Sequence, residues 1–89
     1  MENWKWYVYI IECTDGSYYT GMTSSPDQRW QQHLDGLGSI YTQEHPPKQL
    51  VHLEEYEDLE AARLREKQIK GWTREKKEKL IRDEWGQTI

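Results

Sequence analysis

Apolar and aromatic residues run almost without interruption through Tyr7-Val8-Tyr9-Ile10-Ile11-Glu12-Cys13, break at Thr14-Asp15-Gly16, and resume in Ser17-Tyr18-Tyr19-Thr20-Gly21-Met22. Two β-prone runs around a short glycine-containing break predict a hairpin. Its register has two solutions. A two-residue Asp15-Gly16 turn pairs Thr14 with Ser17 and sends Tyr9 and Tyr19 to opposite faces. A three-residue loop with Gly16 in the left-handed region pairs Cys13 with Ser17 instead, and then Tyr9, Ile11, Tyr19 and Gly21 share a face. Only the second register lets the tyrosines act together.

The pattern then changes from a period of two to helical spacing. Ser25-Pro26-Asp27 is a helix start, with Ser as N-cap, Pro in the first turn and an acid against the dipole, and the helix is expected to run to about Asp35 and stop at Gly36. Arg29 and His33 lie one turn apart on it, beside an apolar stripe of Trp30, Leu34 and Leu37. Glycines at 36 and 38 and the pair Pro46-Pro47 leave Leu37 to Lys48 mostly irregular, and an irregular stretch of that length is often functional. Gln49 to Tyr56 reads as a third strand. Asp58 caps a helix from Leu59 to about Lys70, closed by Gly71, whose inward stripe is Leu59, Ala62, Glu66 and Ile69. Thr73 caps a last helix to about Glu84, with Leu80 and Ile81 inward and Trp85 trailing. The order is β-β-α-β-α-α, and 89 residues are expected to form one domain, 1–89, with its core at about 5–84.

Composition changes this picture in three ways. All aromatic residues are Trp or Tyr, so much of the core-forming surface carries an N–H or O–H that needs a partner. The lone Cys13 excludes an internal disulfide or a cysteine-based zinc site and reads as a small buried hydrophobe. Tyr7 to Ile11 is far too short to span a bilayer and no signal-peptide pattern precedes it, so a soluble cytoplasmic protein is expected. The formal net charge of −4 argues against a nucleic-acid partner, but cations from Arg63 to Arg82 crowd the C-terminal third. That face either holds a phosphate backbone or is a solvated helix surface.

Glu66 carries the strongest chemical signal, because a carboxylate on an apolar helix face is costly unless paired or bound to a metal. The alternative is an ion pair with Arg63, Arg65 or Arg29. Tyr9 and Tyr19 are either half-buried strand residues or phenols poised for proton transfer beside a cation. Gly21 on their face leaves room for a substrate backbone. Arg29 offers a planar fork for phosphate, against the alternative of a solvated surface arginine. His33 either orients a proton relay or caps its helix end. His45 and His52 lack metal-ligand spacing and read as structural or exposed.

Taken together, Tyr7-Val8-Tyr9, Tyr19-Thr20-Gly21, Arg29, His33 and Leu64-Arg65-Glu66-Lys67-Gln68-Ile69-Lys70-Gly71-Trp72 resemble the GIY-YIG nuclease superfamily, in particular its small standalone bacterial branch. The resemblance covers nearly the whole chain. It implies an α+β fold with a three-stranded antiparallel sheet flanked by helices, and one divalent ion, Mg2+ or Mn2+, held by Glu66. It also implies that Tyr9 and Tyr19 lie near the scissile phosphate, that Arg29 stabilises the developing charge, and that His33 assists the attacking water or tyrosine. The chain departs from the pattern at Tyr7, Val8 and Thr20, and no asparagine follows Glu66. After the glycine-rich loop it has Gln43-Glu44-His45-Pro46-Pro47 where the branch is basic.

The expected function is metal-dependent hydrolysis of DNA phosphodiester bonds, in DNA repair or processing, with Arg63, Arg65, Lys67, Lys70 and Arg74 as the nucleic-acid contacts. One alternative is a catalytically weak nucleic-acid-binding domain. Another is a protein-interaction module using Trp4, Trp6 and Trp85.

Overall fold

The computed structural model describes residues 4–82. The hairpin forms from β1 (Trp6–Cys13) and β2 (Tyr18–Thr23). It is followed by α1 (Pro26–Leu34), α2 (Ile40–Glu44), β3 (Pro47–Tyr56), α3 (Leu59–Lys70) and α4 (Arg74–Ile81). The strands make one antiparallel sheet in the order β2-β1-β3, so the α+β expectation holds.

The hairpin turns through the three-residue loop. Gly16 takes a left-handed φ of 88°, its N–H donates to the Cys13 carbonyl at 2.9 Å, and the Cys13 N–H donates to the Ser17 carbonyl at 2.8 Å. Asp15 Oδ1 accepts from both the N–H and the hydroxyl of Ser17, which holds the turn from outside. Tyr9 therefore stands opposite Gly21, and Ile11 opposite Tyr19, with all four on one face.

Alternation along β1 divides the interior into two layers. Val8 and Ile10 pack with Ala62, Ile69 and Leu80 from α3 and α4. Tyr9, Ile11 and Cys13 point the other way, against Tyr19, Trp30 and Tyr41. Burying each of the fully covered isoleucines is worth roughly 1.5–3 kcal/mol. Helix boundaries follow local chemistry: Asp58 accepts from the Ala61 N–H, Thr73 from the Lys76 N–H, and Gly71 is the C-cap of α3. At the end of α1, Gly36 is left-handed at φ 81°, and Leu37 N–H→Gln32 and Gly36 N–H→His33 bonds satisfy the last carbonyls.

Several expectations are corrected. The stretch from Leu37 to Lys48 is not mostly irregular. Ser39 caps α2 through the Thr42 N–H, and β3 begins at Pro47, two residues before the expected Gln49. Proline is tolerated there as the first residue of an edge strand. Leu34 and Leu37 are 49% and 75% exposed and form no buried stripe. The inward face of α1 runs through Pro26, Trp30 and His33, because His33 finds partners for both ring nitrogens. The Ser25 side chain makes no cap hydrogen bond; its own N–H goes to Thr23 Oγ1. Trp6 packs against the α3/α4 layer and is not exposed, whereas Trp4 is. The helix α4 ends at Ile81, and Glu84 and Trp85 lie outside the described residues. No described helix is long and apolar enough to cross a membrane.

Candidate active site

A hydrogen-bonded chain crosses three elements. Tyr9 on β1 has its phenol oxygen 2.8 Å from His33 Nε2 on α1, and His33 Nδ1 lies 2.8 Å from Thr42 Oγ1 on α2. Thr42 Oγ1 is in turn 2.9 Å from the Ser39 hydroxyl. Tyr9, His33 and Thr42 are all buried. Two glycines make room for them. A Cβ at Gly21 would stand 2.5 Å from the Tyr9 phenol oxygen, and one at Gly38 would overlap His33 Nδ1.

Tyr19 packs edge-on to His33 with ring centres 5.3 Å apart, and lies 6.3 Å from Tyr9. Its other neighbour is Tyr41, stacked at 5.7 Å, which stacks on His45 at 4.2 Å. His45 bonds Asp15 in the hairpin turn, so the aromatic ladder ties α2 to the hairpin. His45 and His52 are structural, as expected, the latter bonded to Glu54.

Burial pushes the Tyr9 phenol up to about 12; Tyr19 and Glu66 add to this and Arg29 opposes it. Burial, and then the Arg29 charge, push His33 below its ordinary value. At neutral pH the pair is therefore a protonated phenol against a neutral imidazole. Arg29 is half-buried and steadied by a 2.9 Å bond from its Nε to Gln32. It lines both a small apolar cavity beside Tyr9, Trp30 and His33 and an open polar one of about 160 Å³ at Thr23, Ser24 and Ser25.

Glu66 stands on α3, the helix that packs on the Val8 and Ile10 side of the sheet. Its side chain is 19% exposed and its ion pair is with Lys70, at 3.1 Å, rather than with any of the three arginines weighed as partners. Its charge is felt at Tyr9. No group of three or more His, Cys, Asp or Glu that could hold a metal occurs among the described residues. A single, largely covered carboxylate fits an ion that keeps most of its water and takes its remaining ligands from phosphate, as Mg2+ does. Any such ion competes with Lys70 for the carboxylate.

The expected nucleic-acid contacts divide. Arg63 and Lys67 are exposed, and their side chains make no ion pair or hydrogen bond among the described residues. Lys70 is held by Glu66. Arg65 grips Glu54 with two 2.9 Å bonds and lies over the Trp72 ring at 5.2 Å. Arg74 donates to the Gly16 carbonyl and to Glu78, and lies over Tyr18 at 4.7 Å. Arg65 and Arg74 therefore already hold partners within the protein, a half-buried Glu54 and the hairpin turn, with which a phosphate would compete.

Thr42, Ser39, Gly38 and Tyr41 escaped the sequence reading. The Ser39-x-x-Thr42 spacing is a usable cap signal. Nothing in it says that the threonine hydroxyl then meets a histidine nine positions earlier.

Comparison with known proteins agrees with this architecture. The profile of the GIY-YIG catalytic domain matches residues 5–79. A UPF0213 protein of Haloquadratum walsbyi is 47% identical over 77 residues, 86% of this chain and 86% of its own length. One from Natronomonas pharaonis is 42% identical over 80 residues, covering 90% of this chain and 94% of its own. The solution NMR structure of a UPF0213 protein from Bacillus halodurans, 40% identical, matches with a TM-score of 0.59 over 93% of this chain and 88% of that one. A hairpin that joins two tyrosines, an arginine and a histidine one turn apart on the next helix, and a glutamate on α3 are thus set in a matching profile and a matching fold, and the chain belongs to the GIY-YIG nuclease family.

Proposed function

We propose that this protein hydrolyses phosphodiester bonds in DNA, with Tyr9, Tyr19, Arg29, His33 and Glu66 as its catalytic group and one divalent ion, Mg2+ or Mn2+, held by Glu66. The observation that supports this most is the buried 2.8 Å bond between the Tyr9 phenol and His33 Nε2. A phenol with a pKa of about 12 is no base at neutral pH. It becomes one when its own proton leaves as another arrives. Water gives a proton to the Tyr9 oxygen while the phenol proton passes to Nε2 of neutral His33. The water oxygen bonds to phosphorus and the bond to the leaving sugar oxygen breaks; that oxygen departs with the bonding pair and takes a proton from solvent, and His33 returns its extra proton to solvent. Arg29 stabilises the charge that grows on the phosphoryl oxygens, and Tyr19 walls the site with its ring. Glu66 would hold the divalent ion, which when bound would supply Lewis-acid stabilisation of the leaving oxygen. Arg63 and Lys67, exposed and without an intramolecular ion pair among the described residues, join Arg65, Lys70 and Arg74 as the backbone contacts for DNA.

The test is cleavage of branched, single-stranded and duplex DNA with Mg2+ or Mn2+, comparing wild type with Glu66→Ala. Metal-dependent nicking is expected in the wild type and its loss in the variant, with the circular dichroism spectrum unchanged. Equal nicking by the two proteins overturns the assignment of Glu66.

A further inference from the structure

Thr42 is 2% exposed, and its hydroxyl sits among His33 Nδ1 at 2.8 Å, the Ser39 hydroxyl at 2.9 Å and the Ser39 carbonyl at 3.3 Å. It has one proton to give, so the chain of bonds is fixed once that proton is placed. Suppose first that Thr42 donates to His33 Nδ1. The imidazole then carries its proton on Nε2 and must donate to the Tyr9 oxygen. The phenol proton is left, in a side chain 3% exposed, with no acceptor among the described residues. An unmet buried donor costs about 1–3 kcal/mol.

The opposite arrangement leaves no such gap. Ser39 Oγ accepts from the Thr42 N–H at 3.0 Å, which frees its own proton for Thr42 Oγ1. Thr42 donates to the Ser39 carbonyl and accepts from His33 Nδ1–H. Nε2 is then bare and accepts from the Tyr9 phenol. Gly38 completes the seat, since any Cβ there would occupy the place of His33 Nδ1.

We infer that Thr42, held by Ser39, is a positioning residue that keeps His33 in the Nδ1–H tautomer and aims its bare Nε2 at the Tyr9 phenol. The catalytic consequence rests on the nuclease reading above; the tautomer does not. In a buried pair whose partner must accept a proton, the wrong tautomer leaves geometry intact and removes the base. The short helix α2 is thereby part of the active site although it touches no reacting atom.

The experiment is imidazole 15N NMR on the metal-free, DNA-free protein, comparing wild type with Thr42→Val, which keeps the shape, and Thr42→Ser, which keeps the hydroxyl. In the wild type His33 is expected to show a protonated Nδ1 and an unprotonated Nε2. Thr42→Val should shift both signals toward a mixture of tautomers, and Thr42→Ser should restore them. In cleavage assays Thr42→Val should lower kcat by about 10- to 100-fold with little change in KM, the range seen when residues that orient a ligating or catalytic side chain are lost. A bare Nδ1 in the wild type overturns the inference whatever the variants do, and so does a Thr42→Val spectrum identical to wild type. A correct tautomer in a protein that cleaves no DNA instead overturns the nuclease reading and leaves the positioning role standing.

Discussion

The two faces of this sheet share a strand and differ in what they ask of their side chains. Val8 and Ile10 of β1 bury against Ala62, Ile69 and Leu80, a dry layer held by area removed from water. Tyr9 and Ile11, one residue out of step, bury against aromatic rings and a histidine, and there each polar atom must find a named partner. A hydrophobic layer tolerates any apolar side chain of suitable size. A hydrogen-bonded layer tolerates very little, because an unmet buried group costs more than a met one contributes. Stability and chemistry are therefore separable in this protein by a shift of one residue along β1.

The sharpest way to break that comparison is Tyr9→Phe. It keeps the ring and its packing and removes only the phenol oxygen, so the rate of DNA cleavage per folded molecule should fall by about 10²- to 10⁴-fold, while the unmet His33 Nε2 costs about 1–3 kcal/mol of stability. A variant that cleaves at the wild-type rate would make this second layer an ordinary core. The mirror experiment is Ile69→Ala in the dry layer, where a fully buried side chain is truncated. Unfolding in urea should show a loss of about 2–5 kcal/mol, with cleavage per folded molecule unchanged.

Acid separates the layers more gently. His33 has its pKa lowered by burial and by Arg29, so the folded protein holds fewer protons than the unfolded chain as pH falls below the ordinary 6.5. Stability present above that value is lost on acidification. Burial alone would raise Glu54, but bonds from His52, Arg65 and Tyr56 bring it from 4.5 to about 2, so its contribution is present above 4.5 and is lost as pH falls through 2. Melting temperature against pH should thus fall in two stages. His33→Gln is expected to remove the first stage, and Glu54→Gln to reduce the second and lower neutral-pH stability by about 1–3 kcal/mol. Asp15, held low by His45 and Ser17, keeps part of the second stage in that variant. A single stage that neither substitution alters would contradict both assignments.

Much of this arrangement is legible in the sequence alone. Gly16 marked one of two possible turns, and the shared face of Tyr9 and Tyr19 followed from that turn by the period of a strand. Asp58 and Gly71 bounded α3 to the residue, because caps act through bonds between neighbours. The carboxylate at Glu66 was conspicuous because it broke a helical stripe. The helix α2 was not legible: five residues with no apolar period offer no pattern to read. Leu34 and Leu37 misled because apolar residues beside a helical stripe look inward until a better-satisfied face, that of His33, is known to compete.

What the sequence by itself determined, then, is whatever depends on residues a turn apart: the hairpin, the N-caps of α3 and α4, the bounds of α3 and the supply of phenol, guanidinium, imidazole and carboxylate. Tertiary structure alone decided how those groups are used. Arg65 was drawn to Glu54 eleven positions away and Arg74 to Gly16 at a separation of 58, so two expected phosphate contacts also carry bonds within the fold. Thr42 was brought to His33, and with it came the choice of which ring nitrogen faces Tyr9. The physical reason is range: a local pattern records which side of an element is apolar, whereas a proton's position depends on donors and acceptors that only folding brings within 3 Å.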